Sequence, residues 1–141
     1  MYEELQEKAK QIRRDALEAI YAAKSGHPGG SFSATEMLVA LYYKQMQNIS
    51  AADPKNIDRD RFVLSKGHAC PALYAILADK GYFPKEDLKT LRHFDSHLQG
   101  QPDKKKTPGI DACAGSLGQG VSVAVGMAMG AKKAGKSIQV Y

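Results

Sequence analysis

Residues 58–83 read DRDRFVLSKGHACPALYAILADKGYF. Arg61-Phe62-Val63-Leu64 is a short apolar run that predicts a buried strand, and Ser65-Lys66-Gly67-His68 is the loop in which it ends. Pro71 suits the first turn of a helix, which runs to about Lys80 and stops at Gly81, a residue type that readily takes the left-handed conformation closing many helices. Strand, loop and helix in that order belong to α/β domains built on a parallel sheet.

Upstream, Leu5, Ala9, Ile12, Ala16, Ile20 and Ala23 recur at steps of three and four. They predict an amphipathic helix over residues 3–24, with Arg13, Arg14 and Glu18 on its wet face. Ser25 to Gly30 packs three glycines and a proline into six residues, which predicts a sharp turn. Ser33 and Glu36 form a capping-box pattern opening a second helix to about Gln47, whose buried stripe includes Met37, Leu38, Leu41 and Tyr42. Asn48 to Asp60 reads as polar loop.

Downstream, Pro84 opens a short helix to Leu91. His93 to Ala114 is long for a loop in a compact domain, which marks it for function. Gly115 to Gly120 leads into a helix of small and apolar residues to about Lys133, and Ser137 to Tyr141 predicts a last strand. The expectation is one α/β domain over residues 1–141, helix-rich and with an incomplete sheet, because only two strands can be read. Such sheets place ligands beyond the carboxyl ends of their strands, so the next functional loop would begin after Tyr141.

With 141 residues, 43% hydrophobic and 25% charged, the chain suits one soluble domain and excludes collagen, coiled coil and bulk disorder. The apolar run Val121 to Ala131 is too short to span a bilayer, and Met1 to Lys10 has no leader pattern. A cytoplasmic protein without membrane association is expected. Cys70 and Cys113 carry neither CxxC nor zinc-ligand spacing and read as reduced thiols. The net charge of +5 favours anionic partners, and phosphorylated metabolites suit it. Lys104 to Lys106 reads as a solvated loop, and no basic-aromatic motif points to nucleic acid.

His27, held between Gly26 and Pro28, could bond a ligand or shuttle a proton near neutral pH; the alternative is a turn with an incidental histidine. His68 stands between strand and helix, where an anion such as a diphosphate would be favoured; the alternative is a histidine capping or packing on the next helix. Gly115, Ser116 and Leu117 offer backbone to a ligand, though the run lacks the GxGxxG order of a dinucleotide site. Gly126 and Gly130 read as positions of close helix approach. His93 and His97 have the spacing of a helical metal pair without a third ligand, and read as loop residues.

Taken together, SGHPGGSFSATEMLVALYY (25–43), DRDRFVLSKGHACPALYAILADKGYF (58–83) and TPGIDACAGSLGQGVSVAVGMAMGAK (107–132) closely resemble the amino-terminal, thiamine diphosphate-binding portion of transketolases, of the split-subunit type. The resemblance implies an enzyme component that moves a two-carbon ketol unit between sugar phosphates through thiamine diphosphate. It implies that His27 stands near the thiazolium and substrate carbonyl, that His68 contacts the diphosphate, and that Gly115, Ser116 and Leu117 touch the aminopyrimidine. In the family a Gly-His-Pro supplies a histidine to the donor's hydroxyl, where this chain has Gly100-Gln101-Pro102; Ala114 replaces a common threonine. The family's Gly-Asp-Gly, which holds Mg²⁺, would follow Tyr141, so no metal ligand is expected within residues 1–141. A carboxy-terminal subunit is the implied partner, in a homodimer or heterotetramer, and the chain alone is expected to be inactive. The alternatives are a non-enzymatic fragment or interaction module, or a related thiamine enzyme such as 1-deoxyxylulose-5-phosphate synthase or a dihydroxyacetone synthase.

Overall fold

The computed structural model describes residues 2–141; Met1, where the amino-terminal reading begins, lies outside them. The described α-helices are α1 (Tyr2–Ala23), α2 (Pro28–Phe32), α3 (Thr35–Ala40), α4 (Cys70–Asp79) and α5 (Gln119–Lys133). 3₁₀ segments at Gly67–Ala69 and Lys85–Thr90 flank α4. None of these helices is long and apolar enough to cross a membrane.

The core forms around α4, whose residues Cys70 to Ala78 are all buried. A helix apolar on every side has no face to give to water, so its neighbours must enclose it. α1, α3 and the Lys85–Thr90 segment do so. The contact stripe of α1 is Ala9, Ile12, Ala16, Ala19 and Ile20, in which three alanines permit close approach to α4. Truncating a core leucine such as Leu73 or Leu77 to alanine would cost about 2–5 kcal/mol. Gly81 takes the predicted left-handed conformation after α4, at φ 82°.

Three local expectations are corrected. Helix formation resumes at Pro28, inside the glycine-rich stretch, so the turn is confined to Lys24–His27 and Gly29 and Gly30 are helical. Ser33 therefore follows a helix, its Oγ bonding back to Gly30 O at 3.2 Å, and the capping box does not form; Glu36 pairs instead with Arg13. The new phase leaves Met37 62% exposed while Leu38, Val39 and Tyr42 are buried. α3 closes in a π-helical turn, Leu41–Gln45, sealed by Met46 N bonding Leu41 O at 2.8 Å.

The two predicted strands are present as a single parallel bridge, Arg61 to Val140. Arg61 N bonds Gln139 O at 2.9 Å, Tyr141 N bonds Arg61 O at 3.0 Å and Val63 N bonds Tyr141 O at 3.0 Å. Among the described residues no further segment extends the ladder, and the chain turns away at Ser65. The architecture is thus helix-rich with an incomplete parallel sheet. No residue of α5 is buried, and a gap of about 430 Å³ separates it from the bridge region, lined by Ile57, Arg61, Met127, Ala131 and Ile138. A Cβ built on Gly126 or Gly130 meets nothing within 4 Å, so the expected close helix approach at these glycines is absent among the described residues.

Candidate functional site

Two loops meet above the amino-terminal end of α4. The first carries His27 at the start of α2, where Ser31 fixes it: Ser31 N and Oγ both donate to His27 O, at 3.1 and 3.0 Å. The second is Ser65 to Ala69. The rings of His27 and His68 face each other edge-on, centroids 5.1 Å apart and planes at 62°. Lys66 clips the loops together, its Nζ donating to Gly30 O at 3.0 Å and to Ser33 Oγ at 2.9 Å. A Cβ on Gly30 would lie 2.9 Å from the His68 ring, so the backbone of α2 is in direct contact with that imidazole.

The amides at the head of α4 are less available than its position suggests. Ala69 N bonds Lys66 O and Cys70 N bonds Gly67 O, closing the 3₁₀ turn, and Pro71 has no N–H. Within the turn Gly67–Ala69 the His68 imidazole is the one side chain with a polar group to offer. Cys70 is no nucleophile: burial pushes its thiol up to about 12, and its Sγ points at Gly100 O, 3.3 Å away.

The long loop after His93 is bolted to this region. Tyr74 Oη donates to Gln99 O at 2.8 Å, Thr107 Oγ1 donates to His97 O at 2.6 Å, and Arg92 Nη1 reaches Ser25 Oγ at 2.7 Å. Gln101 is thereby laid on Gly67: a Cβ at Gly67 would overlap Gln101 Oε1 and stand 2.7 Å from Ala114 Cβ. Gln101 Oε1 is buried and accepts no hydrogen bond. A depression of about 650 Å³ opens beside it, with Arg92, Gln99, Asp103, Lys106 and Cys113 on its walls.

The structure thus sets His27 against His68, while Gln101 packs on Gly67, the residue before His68. Gly115, Ser116 and Leu117 are exposed and join from the other side: Gly118 N bonds Ser65 O at 3.4 Å, and a Cβ on Gly120 would stand 2.8 Å from Ser65 Cα. His93 is exposed and His97 Nε2 is paired with Asp87 Oδ2 at 3.0 Å, so these two form no metal pair. Among the described residues no group of three His, Cys, Asp or Glu could hold a metal ion. Sequence reading missed Lys66, Gly30 and Gly67 as site-builders. The available signal was their adjacency to the two histidines, since a glycine beside a ligand-facing side chain often marks close approach.

The donor set and the bare backbone fit a diphosphate-bearing cofactor. An imidazole at a helix head suits the anion, and open backbone at Gly115, with nothing within 4 Å of its would-be Cβ, suits a heterocycle that bonds main-chain groups. The family profile described as transketolase, thiamine diphosphate binding domain, matches residues 5–139. The chain is 42% identical over 146 residues to an apulose-4-phosphate transketolase subunit of Actinobacillus succinogenes, covering 99% of the chain and 51% of that relative. It is 52% identical over 126 residues to the 6-deoxy-6-sulfo-D-fructose transketolase subunit SqwG of a Clostridium species, covering 89% and 46%. The solved transketolase from Leishmania mexicana superposes with a TM-score of 0.85 at 39% identity, over 89% of this chain and 19% of that one. The chain spans about half the length of these two subunit relatives.

Proposed function

The chain belongs to the transketolase thiamine diphosphate-binding family, and on that premise we propose that it contributes part of the cofactor site of a two-carbon ketol transferase acting on anionic sugars. The observation that carries this reading is the His27–His68 pair, two imidazoles 5.1 Å apart on loops clipped by Lys66. When bound, thiamine diphosphate supplies the electron sink for cleaving and forming the carbon–carbon bond next to a carbonyl. His68 holds the diphosphate, and Gly115, Ser116 and Leu117 present backbone to the aminopyrimidine. His27 stands on the substrate side and moves a proton to or from the substrate oxygen. Gln101, which lines the depression, orients the hydroxyl of the donor sugar through its amide, without exchanging a proton.

Mg²⁺ bound with the cofactor would need oxygen ligands, and among the described residues no group of three His, Cys, Asp or Glu offers them. A carboxy-terminal subunit completes the active site, in a dimeric or heterotetrameric cytoplasmic enzyme, and residues 1–141 alone have no ketol-transfer activity. Two relatives named as transketolase subunits support the split arrangement. The test is calorimetric titration with thiamine diphosphate, with and without Mg²⁺, before and after adding a carboxy-terminal transketolase subunit. Magnesium-dependent binding that His68→Ala weakens at least tenfold and His93→Ala leaves unchanged is the expected result. Equal effects of the two substitutions, or no binding in any combination, would overturn the assignment.

A further inference from the structure

The long loop has a second side. Between residues 54–61 and 104–110 lies a cleft of about 380 Å³ whose lining includes Lys55, Arg59, Arg61, Lys104, Lys105 and Lys106, and no acidic residue. Six of the chain's twenty basic residues therefore converge on one concavity. Arg59 and Arg61 share a single carboxylate, Asp111, which leaves that wall positive. Lys55, Lys104, Lys105 and Lys106 are exposed and form no ion pair among the described residues. Asp103, the nearest acidic residue along the loop, faces the Gln101 depression and accepts Lys105 N at 2.9 Å.

The walls are fixed, which separates this cleft from a flexible lysine tail. Arg59 is 4% exposed and held by Pro54 O, Asp60 O and both oxygens of Asp111. Gly109, at φ 85°, packs so closely that a Cβ would stand 2.7 Å from Leu77. Like charges held together over a rigid floor repel, and a multiply charged anion relieves all of them at once. The concavity is small, and no aromatic side chain lines it for a base to stack on, which disfavours nucleic acid.

The geometry points to a binding site for a small, multiply charged phosphate compound, of the diphosphate or bisphosphate class, held by Lys55 on one wall and Lys104, Lys105 and Lys106 on the other. Lys106 lines both this cleft and the depression beside Gln101, so occupancy bears on the loop that carries Gln101. The inference does not depend on the cofactor reading.

The test is an amide NMR titration of the full chain with inorganic pyrophosphate at physiological salt. Saturable shifts at Lys55 and Lys104 to Thr107 are expected, and Lys104→Gln with Lys105→Gln should weaken them about tenfold, since each exposed cation removed costs a few-fold in affinity. Lys55→Gln, on the opposite wall, should weaken binding independently. Shifts confined to Gly67–Ala69, shifts that never saturate, or unchanged affinity in both variants would overturn the site. So would displacement by hexaglutamate at equal concentration, which would make the cleft a protein-docking surface.

Discussion

The His68 imidazole is held between the ring of His27, 5.1 Å away, and the backbone of Gly30, where a Cβ would stand 2.9 Å from it. Gly30→Ala tests whether that seat matters. Alanine is the better helix former by up to about 1 kcal/mol, so α2 should not suffer. The added methyl must displace the ring. Thiamine diphosphate affinity of the assembled enzyme is expected to fall about tenfold or more with an unchanged circular dichroism spectrum, equivalent to about 1.4 kcal/mol.

Gln101 allows a stability readout to be separated from an activity readout. Its Oε1 is buried without a donor, an arrangement that costs about 1–3 kcal/mol. Gln101→Met keeps the volume and removes the orphan. The melting temperature is expected to rise by a few degrees while kcat/KM for the donor sugar falls, and a variant that loses both would mean that Gln101 serves packing alone.

Asp111 is a structural keystone that the motif reading passed over. It accepts both nitrogens of the Arg59 fork, at 2.6 and 3.0 Å, and Phe62 N at 2.9 Å. Removing one partner leaves the other charge buried and alone. Asp111→Ala should therefore cost about 3–5 kcal/mol in urea unfolding, against under 1 kcal/mol for loss of the exposed Lys10–Glu7 pair.

Acid should loosen the α1–α4 seam. Burial opposes ionisation of Asp79, but bonds from the Tyr43 hydroxyl and Lys8 outweigh it and hold its carboxyl below the usual range. The Arg13 bond does the same for Glu36, against slight burial. A carboxyl depressed in the folded state stabilises above its unfolded pKa, and that contribution is lost as pH falls through the folded value. The urea midpoint should drop as pH falls below about 4, and the drop should be smaller in Asp79→Asn.

Much of the fold was legible because its helices carry periodic or continuous apolar runs. α1 shows its stripe at steps of three and four, and α4 has Pro71 at its start and Gly81 past its end. Met37 was misread because α3 begins at Thr35, after a turn, and buries Thr35, Leu38 and Val39 rather than a stripe counted from Ser33. The strands were over-read because β structure depends on neighbours that a local pattern does not contain. His27 and His68 could be flagged separately from their loops. Their mutual contact, and the seating of Gln101 on Gly67 across 34 positions of chain, arise only through packing against α4.

α5 has no buried side chain, so opening it wets little surface that is not already wet. Its amides should exchange with solvent far faster than those of α4, and whatever covers Val121, Val125 and Met129 would slow them. The glycine run at the head of α5 would be immobilised in the same event. If a partner covers α5 while a ligand meets the glycine run at its head, the two bindings would be thermodynamically linked, because each lowers the entropy that the other must overcome.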